Sequence, residues 1–215
     1  MKYGIVGATG LTGLEILKQL PSHDVSVFVR QPDKLPKEMK LEVIRGEVSD
    51  QEALTEWASK QETVFVALGH PMSWNLVRYN IGLSQDYPNK GILKDSLSAV
   101  MKGKPKRIIN MSAYGTHETR SDLPVVVGKI FLPIFIGETY RDHEEAETLL
   151  RSYSEEWVVV RPAQLTNDAA RKQYRTEVKL NPWGTGKISR ADVAHFMIRS
   201  AKDTSWIGQK VGLSY

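Results

Sequence analysis

Residues 7–13, Gly7-Ala8-Thr9-Gly10-Leu11-Thr12-Gly13, constrain this chain more than any other stretch. They follow the apolar run "KYGIVG" (2–7). They open "LTGLEILKQLP" (11–21), where Leu11, Leu14, Leu17 and Leu20 recur at helical spacing before Pro21. A strand that turns sharply into a helix needs a first glycine for the turn. It needs a second so that a ligand can approach the backbone, and a third so that the helix can lie against the strand. The amides at the helix start then form an anion site, to which Thr9 and Thr12 can add hydroxyl donors. In this context the spacing predicts a dinucleotide site rather than an ordinary glycine turn.

The rest of the chain repeats the alternation. Strands are expected at 24–30, 40–46, 62–69, 106–112 and 156–162. Helices are expected at 49–59, 91–102, 138–153 and 189–202, with Ser49 or Asp50 capping the first of them. The segment 177–182 reads as an edge strand, and 70–86 shows no clear pattern. Nearly all-apolar strands between helices predict a doubly wound parallel α/β sheet, a Rossmann domain over 1–215. Small substrate-side elements are expected at 114–140 and 163–188.

Composition removes several alternatives. The 215 residues include no cysteine, so disulfides and thiolate chemistry are excluded. The five histidines show no H-x-x-x-H or H-E-x-x-H spacing, so no metal site is expected. A net charge of +4 spread along the chain favours small anions over nucleic acid. The basic run "KGKPKR" (102–107) reads as a solvated helix end. No leader is evident, and the longest apolar stretch, 123–137, is too short and interrupted to span a bilayer. The expectation is a cytoplasmic protein, without membrane or nucleic-acid partners, as a monomer or homodimer.

The second strand ends at Val29-Arg30, with Lys34 close behind. An acid near here bonds the ribose 2′-hydroxyl of NAD, whereas a guanidinium pairs with the 2′-phosphate of NADP. Arg30 therefore favours NADP(H) over NAD(H); the bland reading is a solvated strand-end charge.

Further stretches join the glycine motif: "VFVR…KLP" (27–36), "ALG" (67–69), "INMSAYG" (109–115), "RDHEEAETLLRSYSEEWVVVRPAQLT" (141–166) and "GKISRADVAHFMIRS" (186–200). Together they resemble atypical short-chain dehydrogenases/reductases of the NAD(P)H-binding, NmrA-like type, and most of all the flavin reductase/biliverdin reductase B group. The resemblance implies a Rossmann domain holding NADPH. By match to the family pattern, Gly7, Thr9, Gly10, Leu11, Thr12 and Gly13 would hold the pyrophosphate and Arg30 the 2′-phosphate. Glu47 and Val48 would flank the adenine, and Leu68 and Gly69 would pass the ribose. Met111 belongs with the cofactor contacts. Ser112 and His143 would lie beside the nicotinamide as the catalytic candidates. Many relatives carry Asp where this chain has Glu47.

The usual dehydrogenase pairs a tyrosine with a lysine four residues on, which lowers the phenol pKa. No tyrosine here has that lysine; Tyr114 and Tyr140 lead to Glu118 and Glu144. A carboxylate beside Tyr140 would shift its phenol upward. His143 lies on a stripe with Ala146, Leu149, Leu150 and Tyr153, so it faces inward, either as a proton donor or as a core histidine satisfied by hydrogen bonds. Ser112 ends a strand on the ligand side and can bond the carboxamide or cap a turn; it lacks a nucleophile elbow. Arg161 reads as a structural ion pair. Trp57, Trp157 and Trp206 read as packing anchors, Trp74 and Trp183 as loop residues bordering an acceptor. The segment 125–137 reads as core, or as a wall over the acceptor or a subunit contact.

Hydride transfer to a flavin or quinone needs little beyond positioning and exclusion of water. The leading expectation is thus an NADPH-dependent reductase of a small planar acceptor. The alternative is a non-catalytic NADP(H) sensor acting through a protein partner; an epimerase-like activity is disfavoured by the short chain.

Overall fold

The computed structural model describes residues 2–21, 24–70, 73–87, 89–178, 180 and 186–215. In chain order the first half comprises β1 (Tyr3–Val6), α1 (Leu11–Gln19), β2 (Val25–Val29), β3 (Glu42–Arg45), α2 (Gln51–Ala58), β4 (Thr63–Val66), α3 (Trp74–Asn80) and α4 (Ile92–Lys102). Then come β5 (Arg107–Met111), a 3-10 segment (His117–Asp122), a π-helix (Val127–Ile136), α5 (Gly137–Leu150) and β6 (Glu156–Pro162). The chain continues through β7 (Gln164–Thr166), β8 (Arg175–Glu177), β9 (Lys187–Ser189), α6 (Arg190–Ser200) and β10 (Gln209–Ser214).

The main sheet runs β3-β2-β1-β4-β5-β6-β10-β8. All its pairs are parallel except β10 with β8. The chain order reverses between β1 and β4, which opens a crevice at the carboxyl ends of those strands. A second, small sheet pairs β7 with β9.

Alternate strand residues feed opposite faces, so two cores form. Ile5, Val27, Phe65, Ile109, Val158 and Val160 pack with Ile16 and Leu17 of α1 and Phe196 and Met197 of α6. Val6, Phe28, Val66, Ile108 and Val159 pack with α2, α4 and α5 through Leu54, Leu97 and Leu150. Trp57 anchors this second face, its indole N–H donating to Ser26 Oγ at 2.9 Å. Trp157 and Trp206 are partly buried against the cores, as packing anchors should be. Asp50 caps α2 and Ser189 caps α6, each accepting a backbone N–H three residues on.

The expected edge strand at 177–182 lies slightly upstream, as β8. Residues 179, 181 and 182 of that expectation fall outside the described residues. Among the described residues no helix is long and apolar enough to cross a membrane.

Candidate nucleotide and acceptor site

The glycine loop is built as a cradle. Gly7 has φ +85°, and a Cβ there would stand 2.6 Å from the Ala67 carbonyl oxygen at the end of β4. Gly10 N–H donates to Gly7 O at 2.9 Å and closes the turn. Gly10 then starts α1 in extended geometry, without a side-chain cap. The amides of Leu11, Thr12 and Gly13 meet no acceptor among the described residues, so three donors and the helix dipole face outward together. A Cβ on Gly10 would find Gly7 O at 3.2 Å and Ala67 O at 3.9 Å, and otherwise open space. A Cβ on Gly13 would overlap Gly7 O. The residues present therefore fit a pyrophosphate. Thr9 is half-buried beside this opening and Leu11 is exposed, while Thr12 is buried.

The other nucleotide candidates follow the same strand ends. Arg30 is exposed immediately after β2, and Glu47 and Val48 follow β3, where Gly46 N–H donates to Val29 O at 3.0 Å. Glu47 is exposed and Val48 half-buried. Leu68 and Gly69 follow β4, and a Cβ on Gly69 would meet nothing within 4 Å. Four adjacent strands, β3, β2, β1 and β4, thus bring these residues to one edge of the sheet.

Met111 closes β5, and Ser112 follows it. Ser112 is buried, and its hydroxyl donates to Glu147 Oε1 at 2.6 Å. Glu147, fully buried on α5, also accepts from Thr116 Oγ1 at 3.0 Å and from Arg161 Nε and Nη2 at 3.0 and 2.5 Å. Arg161 extends the network to Glu118 at 2.8 Å, and Lys210 stands 3.6 Å from Glu147 Oε2. Burial pushes the Glu147 carboxyl up, but Arg161, Ser112 and Thr116 hold it below its ordinary value. Arg161 is a structural ion pair, as expected. With its proton committed to a carboxylate, the Ser112 oxygen presents only lone pairs. It can accept from a ligand N–H but is a poor donor to an oxyanion.

His143 faces inward from α5, one turn before Glu147, and is 6% exposed. Burial pushes its imidazole down to about 4. The Glu147 and Asp142 charges pull upward against this, and His70 adds to the fall. It is therefore neutral at pH 7, not the near-neutral proton donor of the sequence reading. Among the described residues no hydrogen-bond partner reaches its ring. The unfolded chain binds this proton near pH 6.5 and the folded chain only near 4. Stability from this group is thus complete above 6.5 and lost as pH falls toward 4, about 3 kcal/mol in all. Thermal melts from pH 7 to 4.5 should show that loss, and His143→Gln should flatten it. Identical pH slopes in both proteins would refute the assignment.

A second buried histidine was missed in the sequence. His70 follows Gly69, and its Nε2 lies 2.8 Å from Asp142 Oδ2 and its Nδ1 3.0 Å from the Tyr87 hydroxyl. The His70 and Asp142 side chains are fully enclosed. Asp142 also accepts Leu93 N–H at 2.9 Å and Lys94 N–H at 3.0 Å, in the first turn of α4. Burial raises the Asp142 carboxyl, and His70 and these amides bring it below its usual range. An ionised Asp142 only accepts, so Nε2 donates, and in the neutral ring Nδ1 accepts from Tyr87. This chain ties the loop after β4 to α4 and α5. An acid on the inward stripe beside His143 was the available signal, because a buried carboxylate requires a partner.

Neither Tyr114 nor Tyr140 acts as an activated phenol. Tyr140 is pushed up to about 12 by burial, against the pull of Arg120, so the direction expected from sequence holds but a carboxylate is not the cause. Tyr114 is raised by burial and by its 2.7 Å bond to Asp122.

α3, the π-helix and the start of α5 border an open pocket of about 550 Å³, lined by Tyr79, Asn80, Gln85, Arg120, Pro133, Arg141 and Glu144. The apolar segment 125–137 is only partly core. Gly128 and Leu132 are buried, but Val125, Val126, Ile130 and Phe131 are exposed. Trp74 is not a loop residue at this wall; it opens α3 and stands 75% exposed. Trp183 lies outside the described residues.

Residues 7–204 match the family model described as NAD(P)H-binding. No curated protein sequence matches the chain. Several solved structures share the fold. One is a short-chain dehydrogenase/reductase of Veillonella parvula in complex with NADP. It is 19% identical with TM-score 0.75, over 100% of this chain and 94% of that one. ChuY, an anaerobillin reductase of Escherichia coli O157:H7, is 18% identical with TM-score 0.75, over 99% of this chain and 96% of that one. The oxidoreductase ylbE of Lactococcus lactis is 17% identical with TM-score 0.78, over 99% and 90%. With its glycine cradle, its strand order and a family match across nearly its whole length, this chain belongs to the NAD(P)H-binding family and has the fold of the short-chain dehydrogenases/reductases.

Proposed function

We propose that the protein is an NADPH-dependent reductase of a small planar acceptor, a flavin or a quinone. The observation that carries this reading is the free-amide cradle at α1, on the same sheet edge from which α3 and α5 extend to border an open 550 Å³ pocket. The NADP-bound Veillonella structure and the reductase ChuY, which share the fold, support it. Bound NADPH supplies the hydride. The chain holds the pyrophosphate at Gly7–Gly13, accepts the carboxamide N–H at Ser112, and keeps water away with the buried ring of His143. No activated tyrosine is required for such an acceptor.

Arg30 sets the cofactor preference. Arg30→Glu should weaken NADPH binding by at least about tenfold and leave NADH binding within about twofold, because an acid repels a 2′-phosphate and bonds a 2′-hydroxyl. Fluorescence titration with both nucleotides measures this, and equal losses would remove the selectivity role.

The direct test of the reading is NADPH consumption by the purified protein with free flavins and quinones, against an enzyme-free blank. Saturable turnover above the blank supports the reductase. Tight NADPH binding without turnover refutes it and favours a redox sensor acting through a protein partner. The sensor has its own support: Ser112 is committed to Glu147, His143 is neutral and Tyr140 is raised, so proton donors at the strand ends are scarce.

A further inference from the structure

Apolar side chains collect on the outer side of the π-helix and α3. Hydrogen bonds in a π-helix run to the fifth residue, so positions four and five apart share a face. Val125 and Val126 lead into the helix, and Ile130 and Phe131 follow at that spacing. All four stand 41–68% exposed, while Gly128 and Leu132 are buried on the other side. α3 packs against this helix and adds Trp74, 75% exposed in its first turn, with Arg78 exposed one turn on. Single exposed apolar side chains are ordinary, but such a stripe marks a docking surface.

Charge says what docks there. Residues 74–85 and 123–137 hold two cations, Arg78 and Lys129, and no acid. Both cations are exposed, and neither has an acidic partner among the described residues. Most bordering acids are engaged. Asp122 accepts the Tyr114 hydroxyl at 2.7 Å, Glu138 accepts Arg141 at 2.8 Å and Glu144 accepts Arg120 at 2.9 Å. Asp86, just past Gln85, is exposed, but so is Lys90, whose ammonium lies 5.8 Å from the Tyr79 ring centre. A second copy fits this face poorly. A two-fold contact sets a patch against itself, so Arg78 and Lys129 would meet like charge with no acid inside the patch to pair them. Anionic lipid supplies both parts, acyl chains for the stripe and phosphates for the cations. Tryptophan suits the headgroup level between them.

We infer that this face docks on an anionic lipid surface, with Val126, Ile130 and Phe131 entering the headgroup–acyl boundary and Trp74, Arg78 and Lys129 at the headgroups. This runs against the sequence expectation of no membrane partner. A ten-residue π-helix is too short to cross a bilayer, but it can lie along one. The open pocket lies between the same two elements, yet the inference stands on the surface alone and not on the reductase reading.

Sedimentation with vesicles tests it. The purified protein is spun with vesicles of phosphatidylcholine, and with vesicles of phosphatidylcholine mixed with phosphatidylglycerol. It should bind the mixed vesicles at least about tenfold more tightly. Ile130→Ser/Phe131→Ser should weaken that binding by about tenfold or more, and Lys129→Gln by about fivefold. All three side chains are exposed, so the core stays intact, and thermal melts check this. Lys106→Gln controls for the overall positive charge of the chain. Lys106 is exposed just before β5, at the amino ends of the strands, whereas α3 and the π-helix follow the carboxyl ends of β4 and β5. That variant should bind within about twofold of the parent. Failure to sediment with either vesicle overturns the inference, as does an equal loss in Lys106→Gln and Lys129→Gln, or no loss in Ile130→Ser/Phe131→Ser. A concentration-dependent dimer in lipid-free ultracentrifugation, abolished by Ile130→Ser/Phe131→Ser, also overturns it and gives the face to a second copy.

Discussion

Gly13→Ala should lower nucleotide affinity by about a hundredfold and destabilise the fold by about 1–3 kcal/mol. The added Cβ overlaps Gly7 O and comes within 2.8 Å of Ala8 Cα. Both are backbone atoms, so no side chain can move aside. The only relief is to lift α1 off β1, which displaces the free amides of Leu11, Thr12 and Gly13 together and opens the packing of Ile16 and Leu17. Gly10→Ala is the informative comparison. Its Cβ meets Gly7 O at 3.2 Å and faces open space, and its φ of −78° suits alanine. That variant should melt within a few degrees of the parent and still lose about tenfold in NADPH affinity, because the methyl occupies the approach to the helix start. Thermal unfolding and NADPH titration on both variants check the pair. A Gly13→Ala protein that melts and binds like the parent would show that the cradle is looser than described.

Arg161→Met should cost about 3–5 kcal/mol of stability, among the largest effects of any single side chain here. Glu147 is then left fully buried and negative, with Ser112 and Thr116 as neutral donors, and with Lys210 Nζ 3.6 Å and His117 Nε2 3.9 Å from its Oε2. The parent's Glu147 carboxyl is held low, so its contribution is full above the ordinary carboxylate pKa and lost only as pH falls below it. In the variant, burial dominates and the carboxyl rises above its unfolded value. The sign reverses: the deficit is largest at pH 7 and shrinks as pH falls toward 5. The double variant Arg161→Met/Glu147→Met should recover most of the loss, because the buried charge is gone. Denaturant unfolding at pH 7 and pH 5 tests all three proteins. A single variant equally destabilised at both pH values would place the cost in packing rather than in charge.

Most of the layered sheet is legible from periodicity, because each core strand is apolar on both faces and each helix carries one stripe. Val158, Val159 and Val160 need no context to read as a buried strand, and Ser189 announces α6 three residues before Asp192. β10 escapes the same reasoning. Only Val211 and Leu213 are apolar in "QKVGLS", although the strand is inserted between β6 and β8. Its identity comes from neighbours distant in sequence. α3 spans two turns, too short for a periodic signal, and its Ser73 cap stands in a stretch without pattern. The site shows the same limit. The glycine loop is local chemistry and can be read directly. Glu147 shares a face with His143, but the Arg161, Ser112 and Thr116 that satisfy it arrive through tertiary packing. A stripe says which way a residue points and not what it meets.

β3 is the one strand of the main sheet exposed along its whole length, with Val43 40% and Ile44 38% accessible, and it has a neighbour on one side only. Amide exchange should therefore enter the sheet from this margin, β3 opening while β1 and β4 stay shut. Arg30, Glu47 and Val48 sit on that margin. A nucleotide gripped there would act as a hem, slowing exchange in strands it touches only at their ends. The weakest border of the sheet is then also where binding has the most protection left to add.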